Sequence, residues 1–243
     1  MTTLHFTNAL AVLACAWAVW VRRFSFRSRW DAPLTVGVAL YAVASALDTA
    51  WPAIAAASFP LSGKYYLFNT VGHICFLAGN AAGLKAIFAR LLPDDEIGRF
   101  MRTQIVPVVA VASTVMLVCV IASPATSAMP ADYLYAVPLD GWLRVYFCTF
   151  FLTMTATLWM AFFGALRLNE EPPRREPTLP LLGTVSIGSL ACLGFLAAIH
   201  TGMNELILKL WPLAYLATTA AAVTCAVAWR HRIAALTAPA NEP

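Results

Sequence analysis

The chain has 243 residues, 60% hydrophobic and 12% charged, with a mean hydropathy of +0.73 and a formal net charge of +4. Soluble domains carry about 25% charged residues, and one globular core could not hide this much apolar surface, so a soluble enzyme or nucleic-acid-binding module is excluded. Several apolar runs are each about 20 residues long and nearly free of charge, the mark of membrane-spanning helices.

Seven runs follow in chain order. The first, about 4–21, is succeeded by Arg22, Arg23, Arg27 and Arg29. Because this positive cluster follows the apolar run, the segment reads as a reverse signal anchor rather than a cleavable leader. The second run, about 32–57, carries Asp48 and Pro52. The third, about 66–91, contains VGHICFLAGNAAGLK, with His73, Gly79, Asn80, Gly83 and Lys85. The connector PDDEIGR, read as a solvated mixed-charge loop, leads to the fourth run, about 104–123, which holds Pro107. Residues 124–141 form the longest outer loop, whose prolines and tyrosines suit an ordered turn at the interface. The fifth run, about 142–166, opens near Arg144. The sixth, about 179–201, carries the small-residue ladder Thr184, Gly188 and Cys192 and ends at His200. The seventh, about 207–229, begins between Glu205 and Lys209 and contains Pro212. The expected organisation is therefore one all-α domain over 1–232, a bundle of seven transmembrane helices, and a short tail over 233–243.

Twelve of the sixteen basic residues fall after runs one, three, five and seven. The positive-inside rule then places the N-terminus outside and the C-terminus inside a cytoplasmic membrane. The six cysteines lie singly within apolar runs, with no C-x-x-C pair, so they read as free buried thiols.

Ionisable groups in a bilayer core cost about 2.5–3.5 kcal/mol each on insertion scales, which singles out two residues. Asp48 lies nine residues before the end of the second run, about 13 Å deep at 1.5 Å per residue, and His73 seven residues into the third, about 10 Å deep. Joined by a short loop, the two helices are expected to bring carboxylate and imidazole together. Asn69 stands one turn above His73, and Arg144 and His200 end helices on the same outer side. The five form a candidate lining for an outward-facing site that takes an ion, a proton or a small solute. The simpler readings remain beside it: Asp48 with His73 as a structural helix–helix bond, and Arg144 and His200 snorkelling to water. Gly79-x-x-x-Gly83, Asn80 and Gly188 read as helix packing. There is no H-E-x-x-H, G-x-S-x-G, Walker or Rossmann pattern, so no catalytic residue, metal site or cofactor is expected.

Asp48 in ALDTAWP, His73 in NTVGHICFL, the basic loop after it and the glycine-rich LLGTVSIGSLACLGFL together resemble the membrane portion of a family of actinobacterial seven-helix proteins described as transporters. The resemblance covers about residues 1–232 and implies a transporter-like protein of a high-GC actinobacterium, its phages or its mobile elements. Family members usually continue into a soluble domain after the seventh helix, which the sequence ending at Pro243 lacks. Two functions of different class are expected: transport of an ion or small solute, or a membrane sensor, regulatory or phage-exclusion protein acting through protein partners. The lipid bilayer is a partner in either, and nucleic acid in neither.

Overall fold

Away from water only an intra-segment ladder satisfies every backbone N–H and C=O, so apolar runs of this length fold as helices. A computed structural model describes residues 2–48, 57, 59–128, 134, 137–170, 175–202 and 204–237. Among these residues there are helices and no strand. The long helices are α1 (Thr2–Val21), α2 (Ala32–Asp48), α3 (Leu67–Phe88), α4 (Asp94–Ala122), α5 (Gly141–Asn169), α6 (Arg175–Thr201) and α7 (Asn204–Thr237). Six of them are long and apolar enough to cross a membrane, and α2 is a shorter apolar helix. Large apolar side chains stand exposed around the outside, among them Leu13 (68%), Val111 (63%) and Leu190 (68%). Such a surface belongs in lipid, and the chain is an integral, multi-pass membrane protein.

Several boundaries differ from the sequence reading, each for a local reason. The fourth helix starts at Asp94, because PDDE is a helix start: Asp94, Asp95 and Glu96 occupy the first turn, where carboxylates complement the helix dipole. Pro107 has no N–H for the carbonyl four residues back, and a π-helical turn at Met101–Ile105 precedes it without ending the helix. The fifth helix begins under the Asp140 carboxylate, which accepts a hydrogen bond from the Leu143 amide at 2.8 Å. Pro212 lies inside α7, which runs past the expected end to Thr237. Gly202, at φ 72°, makes the left-handed turn that separates α6 from α7. Pro52 and the outer half of the second run lie outside the described residues.

The helices close a ring in the order α1, α2, α3, α5, α6, α7 and back to α1, with α4 packed outside against α3 and α5. Close approach of α2 and α3 depends on glycine. A Cβ on Gly37 would sit 2.9 Å from the Gly79 carbonyl oxygen, and one on Gly79 2.7 Å from the Tyr41 ring. Near the Asp48 end, one continuous apolar core joins all seven long helices through residues such as Leu4, Ala44, Phe151, Phe195 and Trp211. Toward the other end the core divides. Cys15, Val38 and Ala226 pack α1, α2 and α7 together, whereas Leu84, Ile105 and Val185 pack α3 to α6.

Between those two clusters lies a cavity of about 1300 Å³. One end of it is lined by Arg22, Asp31, Arg90 and Arg232, and the other by Phe195, Trp211 and Tyr215. On the opposite face of the ring, Thr126, Leu134 and Val137 of the connection after α4 are buried. Lys64 donates there to the Ser123 carbonyl at 2.7 Å, and the Tyr65 amide to the Thr126 carbonyl at 3.2 Å.

Candidate functional site

Asp48, at the described end of α2, and His73, one to two turns into α3, are both fully buried. His73 Nε2 stands 3.3 Å from Asp48 Oδ1, an ion-pair distance without hydrogen-bond alignment. The other carboxylate oxygen is held from across the ring. The Trp211 indole N–H donates to Oδ2 at 3.1 Å and the Tyr215 hydroxyl at 2.5 Å. Asn69 Nδ2 makes longer contacts to Oδ1 (3.5 Å) and to the Asp48 carbonyl (3.4 Å). A carboxylate only accepts, and four donor-bearing side chains from α3 and α7 surround this one.

His73 is fixed as tightly. Its ring stacks on Phe150 at 4.5 Å and 21°, and meets the Trp211 edge at 5.9 Å. Nδ1 lies 2.6 Å from the Tyr146 hydroxyl, which in turn is 3.5 Å from Thr70 Oγ1. Thr70 donates to the Tyr66 carbonyl at 3.1 Å. A dry site between aromatic rings favours an imidazole–carboxyl pair that carries no net charge.

Of the five residues picked from the sequence as a binding site, Asp48, His73 and Asn69 are brought together. Arg144 and His200 are exposed and stand apart from them. Among the packing residues, Gly79 makes the close approach to α2, and a Cβ on Gly188 would meet Leu158 at 3.3 Å. Gly83, expected to pack with Gly79, would place a Cβ in open space and lines the cavity instead. Asn80 joins three helices: Tyr41 on α2 donates to its Oδ1, and its Nδ2 donates to Thr157 Oγ1 on α5 at 3.2 Å. Lys85 and Lys209 are exposed, and the Glu205 side chain lies outside the described residues.

Sequence reasoning missed Trp211, Tyr215 and Tyr146. Trp211-x-x-x-Tyr215 puts two polar-tipped aromatics on one helix face, and that spacing was the available signal. The described cavity runs from the arginine end to Trp211 and Tyr215, which line it and donate to Asp48. The outer half of the second run, where an outward-facing cavity was expected, lies outside the described residues. Among the described residues no group of three or more His, Cys, Asp or Glu is placed to hold a metal.

The chain matches no family model, no curated protein and no solved structure.

Proposed function

We propose that the protein crosses a cytoplasmic membrane seven times, N-terminus outside and C-terminus inside, and carries a small solute or ion through the helix ring. One proton at the Asp48–His73 pair is exchanged as the helices rearrange. The observation that carries this reading is the floor of the cavity: Trp211 and Tyr215 line it and both donate to Asp48. A solute that displaces either side chain changes the donors on a buried carboxylate, and hence where the shared proton is most stable. The core is divided at the arginine end, α1, α2 and α7 from α3 to α6, and that division offers a matching movement at that end. The layout's resemblance to transporter-like proteins agrees with it, and basic residues at the cavity's open end agree with an inward-facing state.

The test is proteoliposome flux with an internal pH dye, offering amino acids, organic anions and inorganic ions in turn. Solute-evoked proton movement that Asp48→Asn abolishes, while the variant still folds, supports the carrier. A solute that crosses equally fast in Asp48→Asn, with no proton movement, reduces the pair to a structural bond. A second reading, a membrane sensor reporting to a protein partner, is favoured by one observation. The described cavity stops inside the helix ring at Trp211 and Tyr215, which suits a receptor as well as a carrier.

A further inference from the structure

The junction of α1 and α7 carries a second concave site, an open groove of about 450 Å³ at the arginine end of the ring. Trp20, Val21 and Phe24 line one side of it, and Trp229, Ile233 and Ala234 the other. Of these only Trp229 also lines the cavity. Each side contributes an exposed arginine: Arg23, which opens the short 3-10 turn Arg23–Arg27 after α1, and Arg230 of α7.

Aromatic rings set both guanidiniums in place. The Arg23 guanidinium carbon lies 4.4 Å from the centre of the Trp20 ring and 4.5 Å from that of Phe24. Its Nη1 donates to the Trp20 carbonyl at 2.9 Å, one of five N–H groups. The Arg230 guanidinium stands 5.7 Å from the Trp17 ring centre. A cation over a ring face is held by the ring quadrupole, which leaves the N–H groups in the guanidinium plane for an oxygen ligand. Among the described residues neither arginine forms an ion pair with a carboxylate.

An apolar seam runs from this groove into the bilayer. Leu13, Trp17 and Trp20 recur on α1 at i, i+4 and i+7, and Val223, Val227 and Arg230 on α7 at the same spacing, so each set shares a helix face. All six are exposed. The contact of Arg230 with Trp17 brings the two faces to one junction. We infer that the groove and its seam bind one anionic phospholipid, its phosphate on Arg23 and Arg230 and an acyl chain along Trp17, Leu13, Val227 and Val223. Guanidinium forks suit phosphate oxygens, and tryptophans at headgroup depth suit the boundary between head and chain. A soluble anion would use the arginines but leave the seam uncovered, and a zwitterionic lipid would bring its own cation beside two guanidiniums. The site involves neither the Asp48–His73 pair nor transport, and it stands or falls independently of the carrier.

The test is native mass spectrometry of the full chain in detergent, titrated with phosphatidylglycerol or with phosphatidylcholine of the same acyl chains. The first phosphatidylglycerol is expected to bind at least tenfold more tightly than the first phosphatidylcholine. Arg23→Gln and Arg230→Gln each cut that preference about fivefold, the usual contribution of one basic residue near an anionic headgroup. Arg27→Gln removes the same charge from an exposed position on the same turn but outside the groove, and leaves the preference unchanged. Ala234→Trp keeps both arginines but fills the groove, and weakens phosphatidylglycerol binding; it is the deciding variant if an arginine variant unfolds. Equal affinity for the two lipids overturns the headgroup assignment. A loss in Arg27→Gln equal to that in Arg23→Gln is diffuse charge attraction and overturns the site, as does unaltered binding in folded Ala234→Trp. A dimer that Ala234→Trp abolishes and phosphatidylglycerol does not displace makes a second copy of the chain the occupant, and overturns the lipid.

Discussion

Tyr215 on α7 donates to Asp48 on α2 at 2.5 Å, across the interior of the helix ring. Together with the Trp211 bond it ties α2 to α7, two helices that touch each other little elsewhere. Hydrogen bonds to charged groups contribute about 1.5–3 kcal/mol. Tyr215→Phe is therefore expected to lower stability by about 2 kcal/mol, measured as thermal or denaturant unfolding in detergent. The same substitution made on an Asp48→Asn background should cost clearly less. Equal losses in both backgrounds would mean the two side chains do not act on each other.

Glycine sets the α2–α3 spacing, and the two glycines of the G-x-x-x-G are expected to behave oppositely. At Gly37 an added methyl meets the Gly79 carbonyl oxygen at 2.9 Å, and at Gly79 it meets the Tyr41 ring. Gly37→Ala and Gly79→Ala should each destabilise by about 1–3 kcal/mol, the usual cost of overpacking. Gly83→Ala meets nothing within 4 Å and should be neutral or stabilising by about 0.5–1 kcal/mol through helix propensity. Unfolding midpoints of the three variants give the comparison, and an equal loss at Gly83 would count against the packing described.

How much of this was legible beforehand follows from geometry. Depth along a helix can be counted, so Asp48, Asn69 and His73 were found by residue spacing alone. Azimuth cannot be counted when a helix is apolar all round, because no polar face marks which side is turned inward. Trp211, Tyr215 and Tyr146 were missed for that reason. Arg144 and His200 lie on the same outer side but at helix ends, where side chains reach water. Positive residues at the other end were read only as topology, although Asp31 gathers Arg90 and Arg232 into one cluster. The start of α4 was hidden by its charges, which mark a helix terminus as well as they mark a loop.

Asn8 is 1% exposed on α1, and neither amide atom has a hydrogen-bond partner among the described residues. An unsatisfied buried polar group costs about 1–3 kcal/mol. Asn8→Leu, close in size, should raise the unfolding temperature in detergent. A lowered midpoint would indicate that the amide has a partner in the folded protein, such as a bound water or ion.

Asp140 caps α5 outside the membrane. Burial alone would raise its pKa, but hydrogen bonds from the Ser123 hydroxyl at 2.5 Å and from the Leu143 amide hold the carboxyl below its ordinary range. A depressed pKa in the folded state adds stability that is present above the unfolded value, about 3.9, and lost as pH falls through the folded one. Asp140→Ala should cost about 1 kcal/mol near neutrality, as lost caps do. Its deficit should shrink below about pH 4, as the parent's carboxylate is protonated. Unfolding curves for both proteins at several pH values check this, and a deficit independent of pH would contradict it.

The central claim is that protonation at Asp48 and His73 governs access to the cavity. Cys192 and Cys225 line that cavity, which makes them reporters already in place. The direct measurement is their maleimide labelling rate, located by mass spectrometry in sealed vesicles, between about pH 5 and 8, where histidine titrates. Thiolate formation changes the rate equally in every variant, so the ratio of parent to Asp48→Asn isolates the effect of the pair. A ratio that changes severalfold across this range, with labelling from the arginine side, is the result predicted. A ratio constant with pH, in a variant that folds and inserts like the parent, would contradict the claim.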